Sequence, residues 1–126
     1  MAAGQYSFTI EQGATLVKQF TYKDSSGNVV NLDGFDVRMQ IRSSVGSDTK
    51  IADFNNVNSG SLRILPTTGS TASGTIELNI NATSSSLYTF DQAVYDLEIE
   101  NTEGTVTRLL QGRIKLSKNV TRWYGS

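Results

Sequence analysis

Glu77, Asp91, Asp96 and Glu98 are the residues from which a catalytic centre would have to be built. A pair of carboxylates can cleave a glycosidic bond as acid and base, or as acid and nucleophile. Ser117-Lys118 sets a hydroxyl beside an amine, but a nucleophilic Ser needs an adjacent base. The chain contains no His and no Cys. That removes the commonest general base, the strongest nucleophile and the soft metal ligands. Only oxygen ligands remain, so calcium is the one metal whose chemistry fits. Asp24-Ser25-Ser26-Gly27-Asn28 comes nearest to a calcium loop, but it lacks alternating acids and a closing Glu, and reads as a turn. Glu77, Asp96, Glu98 and Glu100 fall at outward positions of their strands, where charge belongs. These residues predict no catalytic centre, no metal and no cofactor.

Other ligand chemistries fare no better. Neither Ser59-Gly60-Ser61 nor Thr68-Gly69-Ser70 leads into a helix, as a phosphate-cradling loop must. Eleven basic residues face twelve acidic ones, for a net charge of −1. Arg38, Arg42, Arg63, Arg108, Arg113 and Arg122 are interleaved with acids and form no basic stripe. The expectation is a protein that binds neither nucleic acid nor membrane. No apolar run approaches the ~20 residues that cross a bilayer. Met1-Ala2-Ala3-Gly4-Gln5 has neither the basic nor the apolar part of a signal peptide, so synthesis in the cytoplasm is expected.

The elements that would carry these residues are strands. Apolar residues alternate at Phe8 and Ile10, at Leu16, Phe20 and Tyr22, at Val37, Met39 and Ile41, and at Ile76, Leu78 and Ile80. They alternate again at Tyr95, Leu97 and Ile99, and at Leu110, Ile114 and Leu116. Period two is the signature of half-buried strands. The pattern predicts strands over Gln5 to Ile10, Leu16 to Lys23, Asp36 to Arg42, Ile51 to Phe54 and Leu62 to Leu65. Three more follow over Thr75 to Ile80, Ala93 to Asn101 and Val106 to Ser117. Lys18 interrupts the stripe of its strand and predicts a position near the rim. A single helical turn is expected at Ser84 to Tyr88, capped by Thr83 or Ser84.

The last two strands form a hairpin around Thr102-Glu103-Gly104-Thr105, read as a two-residue loop. That register sets Leu97 opposite Leu110 and Tyr95 opposite Gly112, with Leu109 on the outer face and the acids of one strand near Arg113. Phe8, Phe20, Val37, Met39, Ile41, Ile76, Leu78, Tyr95, Leu97, Leu110 and Ile114 are the expected core. With turn signals every 8–12 residues, one all-β sandwich of about seven or eight strands is predicted over residues 1–126. A closed barrel is the alternative.

The tail, about 118–126, differs from the rest. Arg122, Trp123 and Tyr124 lie together beyond the last strand, and the Trp is the only one in the chain. Arg, Trp and Tyr dominate interface hot spots. These three, with Tyr6 as a second contact, are the candidate partner-binding residues.

Several of these segments carry a family resemblance. Tyr6-Ser7-Phe8-Thr9-Ile10-Glu11-Gln12-Gly13-Ala14-Thr15 resembles the opening of small virion proteins of tailed bacteriophages. Asp24 to Leu32, Gly34-Phe35 and Val37-Arg38-Met39-Gln40-Ile41-Arg42 are similar to the segments that follow in that family. Tyr95-Asp96-Leu97-Glu98 and Val106 to Arg122 resemble its second half. The resemblance is to cyanophage-type proteins and to the N-terminal domain of upper baseplate proteins. It implies an immunoglobulin-like antiparallel sandwich and a non-enzymatic role in the virion. The expected function is a multi-copy tail, baseplate or neck adaptor, with other virion proteins as partners in symmetric copies. A capsid decoration protein is the alternative, and a carbohydrate-binding module for host-surface glycans is the second.

Overall fold

A computed structural model describes residues 4–56, 61–66 and 73–121. Nine strands and one short helix occur among them: β1 (Gly4–Gln5), β2 (Phe8–Glu11), β3 (Leu16–Thr21), β4 (Asp36–Arg42), β5 (Lys50–Asn55), β6 (Leu62–Leu65), β7 (Thr75–Ile80), α1 (Ala82–Ser86), β8 (Gln92–Glu100) and β9 (Val106–Ser117). The larger sheet runs β9-β8-β4-β5, and both β1 and β2 pair with β9 at its edge. The smaller sheet runs β3-β7-β6. The two sheets enclose one apolar core. This is the connectivity of an immunoglobulin-like sandwich. Among the described residues, the only parallel pairings are those of β1 and β2 with β9.

Each strand buries one face because its side chains alternate. In β4, Val37, Met39 and Ile41 are buried between Asp36, Arg38, Gln40 and Arg42. In β7, the centre of the smaller sheet, Ile76, Leu78 and Ile80 point inward. Nine of the eleven expected core residues are buried, and Phe20 and Leu110 pack half-buried against them. Leu32, Phe54 and Leu62 complete the interior, from segments too short to show a period.

The first expected strand is two. Gly4 opposes Leu110 and Phe8 opposes Ile114, so the register is unbroken across the gap. The ladder stops at Tyr6 and Ser7 because the Ser7 hydroxyl takes the Arg113 N–H, at 3.1 Å. The Tyr6 carbonyl instead accepts the Tyr95 hydroxyl at 2.6 Å. It passes so close to Gly112 that a Cβ there would lie 2.0 Å from it. Gly112 is thus required by the crossing backbone, which the Tyr95–Gly112 pairing alone does not reveal.

The β8–β9 hairpin reaches the expected core register by another route. Leu97 opposes Leu110 and Tyr95 opposes Gly112, yet Glu98 opposes Arg108. The loop is one residue longer than predicted: Gly104 N–H bonds the Asn101 carbonyl, Asn101 N–H bonds the Thr105 carbonyl, and Gly104 has φ 87°. That is the three-residue loop with a glycine in the left-handed region. A bulge at Leu109 then absorbs the extra residue. The two departures cancel. The bulge also brings Leu109 against the core beside Leu110, where an outward position was expected.

Smaller corrections have equally local causes. The second strand ends at Thr21, and Lys23 is left in an isolated bridge with Val29. The helical turn begins two residues early because Asn81, not Thr83 or Ser84, caps it, its side chain accepting the Ser84 N–H. Ser85 is buried and ties this turn to the β2–β3 connection, accepting from Gly13 N–H and donating to the Ala14 carbonyl. Gln12 completes the tie by donating to the Tyr88 carbonyl and accepting from Asn119 N–H.

Gly112→Ala should therefore destabilise the fold by about 1–3 kcal/mol, the range for overpacking. Gly46→Ala, where an added Cβ meets nothing within 4 Å, should change little. Urea-unfolding midpoints of the two variants measure the difference.

Candidate interaction surface

The outer face of the larger sheet is polar and carries charge from four strands. β8 and β4 lie at its centre, with β9 and β5 beside them. Alternation brings Arg108, Gln111, Arg113 and Lys115 of β9 to this face, and Val94, Asp96, Glu98 and Glu100 of β8. β4 adds Asp36, Arg38, Gln40 and Arg42, and β5 adds Asp53. Strand pairing fixes their rows. Arg42, Val94 and Arg113 form one row, Gln40, Asp96 and Gln111 the next, and Arg38, Glu98 and Arg108 the next. Asp36, Glu100 and Val106 end the face.

The middle rows neutralise themselves. Arg38 meets Asp53 at 2.8 Å and Lys50 meets the same carboxylate at 3.0 Å. Arg108 stands 3.5 Å from Asp96 and 3.7 Å from Glu98. The acids of β8 were expected near Arg113. The bulge at Leu109 shifts the pairs on the hairpin side by one and brings Arg108 to the outer face, where it takes them, while Arg113 keeps its expected place beside Val94. Asp53 is the most perturbed acid: the Arg38 hydrogen bond chiefly, with Lys50 adding and partial burial opposing, holds its carboxyl down at about 2.

Glu77 is outward on the other sheet, but its neighbours cover it. Arg63 approaches at 2.6 Å and the Gln19 amide at 3.0 Å, and together they hold its pKa below the usual carboxylate range. Asp91 pairs with Lys118 at 2.9 Å, which engages the lysine of the Ser117-Lys118 pair. The Asp24 carboxylate accepts the N–H groups of Ser26 and Asn28, as a turn-forming Asp does. Among the described residues, no group of three or more acids is gathered as metal ligands.

Of the candidate partner-binding residues, Arg122, Trp123 and Tyr124 lie outside the described residues. Tyr6 stands at the border between the sheets, 38% exposed. Its ring stacks on Phe8 at 5.9 Å and meets Phe20 edge-on at 5.7 Å. The Lys18 ammonium lies 5.9 Å from the Tyr6 ring and 6.0 Å from Phe8. Lys18 thus points inward along the open border and is accommodated by aromatic faces. Burial, with Tyr6 adding, pushes the Tyr95 hydroxyl up to about 12, so it remains a donor to the Tyr6 carbonyl.

Sequence reasoning did not single out the rows of the outer face. The outward residues were legible one strand at a time, but only strand order and register put them together.

The chain matches no known protein family and no curated protein. No helix among the described residues is long and apolar enough to cross a membrane.

Because the pKa of Asp53 is lower folded than unfolded, its contribution is complete above about pH 4 and fades as pH falls towards 2. Asp53→Asn should cost about 1 kcal/mol at pH 6, the upper end for a partly exposed pair. That difference should vanish towards pH 2, as read from urea unfolding of both proteins across the range.

Proposed function

We propose that this chain is a non-enzymatic virion structural protein of the tailed-bacteriophage type, acting in several symmetric copies as a tail, baseplate or neck adaptor. The observation that carries the reading is the outer face of the larger sheet: a rigid polar surface whose central charges are already held by neighbouring strands. Such a surface is suited to docking on another protein, since its side chains lose little freedom on contact. The carboxylates that would serve catalysis are committed to ion pairs, Asp96 and Glu98 with Arg108, Glu77 with Arg63 and Asp91 with Lys118. The virion assignment rests on the resemblance of the motifs from Tyr6 to Arg122, and the partners in this reading are other virion proteins. Arg122, Trp123 and Tyr124 serve as an anchor, on the ground of residue type alone.

Quantitative mass spectrometry of purified virions tests the role. An adaptor is present at a small multiple of the tail symmetry. A copy number matching the capsid subunits would favour decoration of the head, and absence from virions would contradict the proposal. A chain truncated after Thr121 should fold with an unchanged melting transition but fail to join virions. Full incorporation of that truncation would remove the anchor role from the tail.

A further inference from the structure

The charges left unpaired on the outer face of the larger sheet are sorted by sign to its two ends. At the end where β8 begins, Arg42 and Arg113 flank Val94 in one row, and Lys115 stands beyond Arg113. Among the described residues, none of these three cations meets a carboxylate. Arg42 is held by the Gln40 side chain and the Ser47 carbonyl instead. At the end where β8 finishes, Asp36 and Glu100 are directly opposed on neighbouring strands, both exposed, and neither meets a cation among the described residues. Each end is hollowed. One hollow is lined by Arg42, Arg113, Val45 and Val94 and reaches the paired Asp96 and Arg108, the other by Asp36, Glu100, Asn56 and Val106 and reaches Arg38 and Glu98.

The acidic placement is unfavourable in a single copy, whereas the cations Arg42 and Arg113 stand one strand apart across Val94. Like charges directly opposite one another on paired strands destabilise them. The two ends cannot relieve each other, because six residues of strand separate them by ~20 Å, well beyond the ~8 Å over which charges interact at physiological salt.

A second copy supplies what one copy lacks. We infer that the outer face of the larger sheet pairs with the same face of another copy about a two-fold axis running across the strands. Such an axis reverses strand direction between the copies and keeps strand order, so the Arg42 end of β4 lies over the Asp36 end of β4 in the partner. Arg113 and Lys115 then approach the Glu100 row. Val45 and Val94 meet the hollow that holds Val106. A two-fold axis along the strands would instead set cations on cations. The contact is isologous and closes on itself, so it yields a dimer and not a filament. The inference extends the assembly role proposed above but stands on the charge layout alone.

Sedimentation velocity over a concentration series at low and high salt tests it. The native protein should dimerise, more weakly as salt rises. R42E/R113E should weaken dimerisation at least about tenfold, and so should D36R/E100R, as expected for reversed interface charges. The fourfold variant R42E/R113E/D36R/E100R should regain a homodimer, because both ends are exchanged together, but should not pair with the native chain. K23E, which changes an exposed cation off this face, should leave the dimer intact. Thermal melts show which variants are folded, and the salt dependence of the native dimer stands without any variant. A native protein that stays monomeric at low salt overturns the inference, as does a dimer indifferent to all four reversals. If the native protein is monomeric but R42E/R113E is excluded from virions, the face docks a different virion protein. Self-pairing is then wrong and the assembly role stands.

Discussion

The Tyr6 carbonyl lies over Gly112 with no room for a side chain between them. That approach is the constraint on which the rest of the larger sheet depends. Parallel pairing of β1 and β2 with β9 covers an edge that would otherwise be open. The Tyr6 N–H still bonds the Gln111 carbonyl, but the Arg113 N–H goes to the Ser7 hydroxyl, which leaves the Tyr6 carbonyl without a backbone donor. The Tyr95 hydroxyl fills that need from β8. Three strands are thereby fixed together by a glycine with no side chain and a tyrosine with a long one. Tyr95 also meets Phe8 edge-on at 5.3 Å, so the same residue joins the hydrogen-bonded edge to the aromatic cluster at the border of the sandwich.

Much of this was legible because alternation reports burial directly. The four strands Asp36–Arg42, Leu62–Leu65, Thr75–Ile80 and Val106–Ser117 have the bounds that the pattern predicts. Where reading strand by strand fell short, the reason is tertiary. Leu32 and Phe54 sit in pieces too short to show a period, and only their packing reveals them as core. Glu77 reads correctly as outward, but its concealment depends on Arg63 and Gln19, each on a different neighbouring strand. The hairpin is the most instructive case. A loop one residue longer than expected and a bulge at Leu109 offset each other, so the core pairs were right while Arg108 turned to the outer face and took the acids expected near Arg113.

The motif Gln12-Gly13-Ala14, part of the resemblance to phage virion proteins, has a structural explanation in this chain. Its three residues bind Tyr88, Ser85 and Asn119 and so close one end of the sandwich. A motif of this kind marks how the chain folds and does not locate a binding surface. The surface has to be sought where the fold leaves charge unsettled. On the larger sheet the central ions are neutralised in place, and those without an ionic partner among the described residues are set apart by sign at opposite ends. That arrangement was hidden in the sequence because Asp36 and Arg42 belong to one strand, Glu100 to a second and Arg113 to a third.

The claim that this face is the working surface is tested most directly by covalent footprinting of arginine and carboxylate side chains, read by mass spectrometry. The free, dilute protein is compared with the protein in its assembled state. The account predicts that Arg42, Arg113, Asp36 and Glu100 lose reactivity together on assembly, while Lys23, Asp24 and Glu103, away from the face, keep theirs. Unchanged labelling of the four face residues in the assembled state would contradict it.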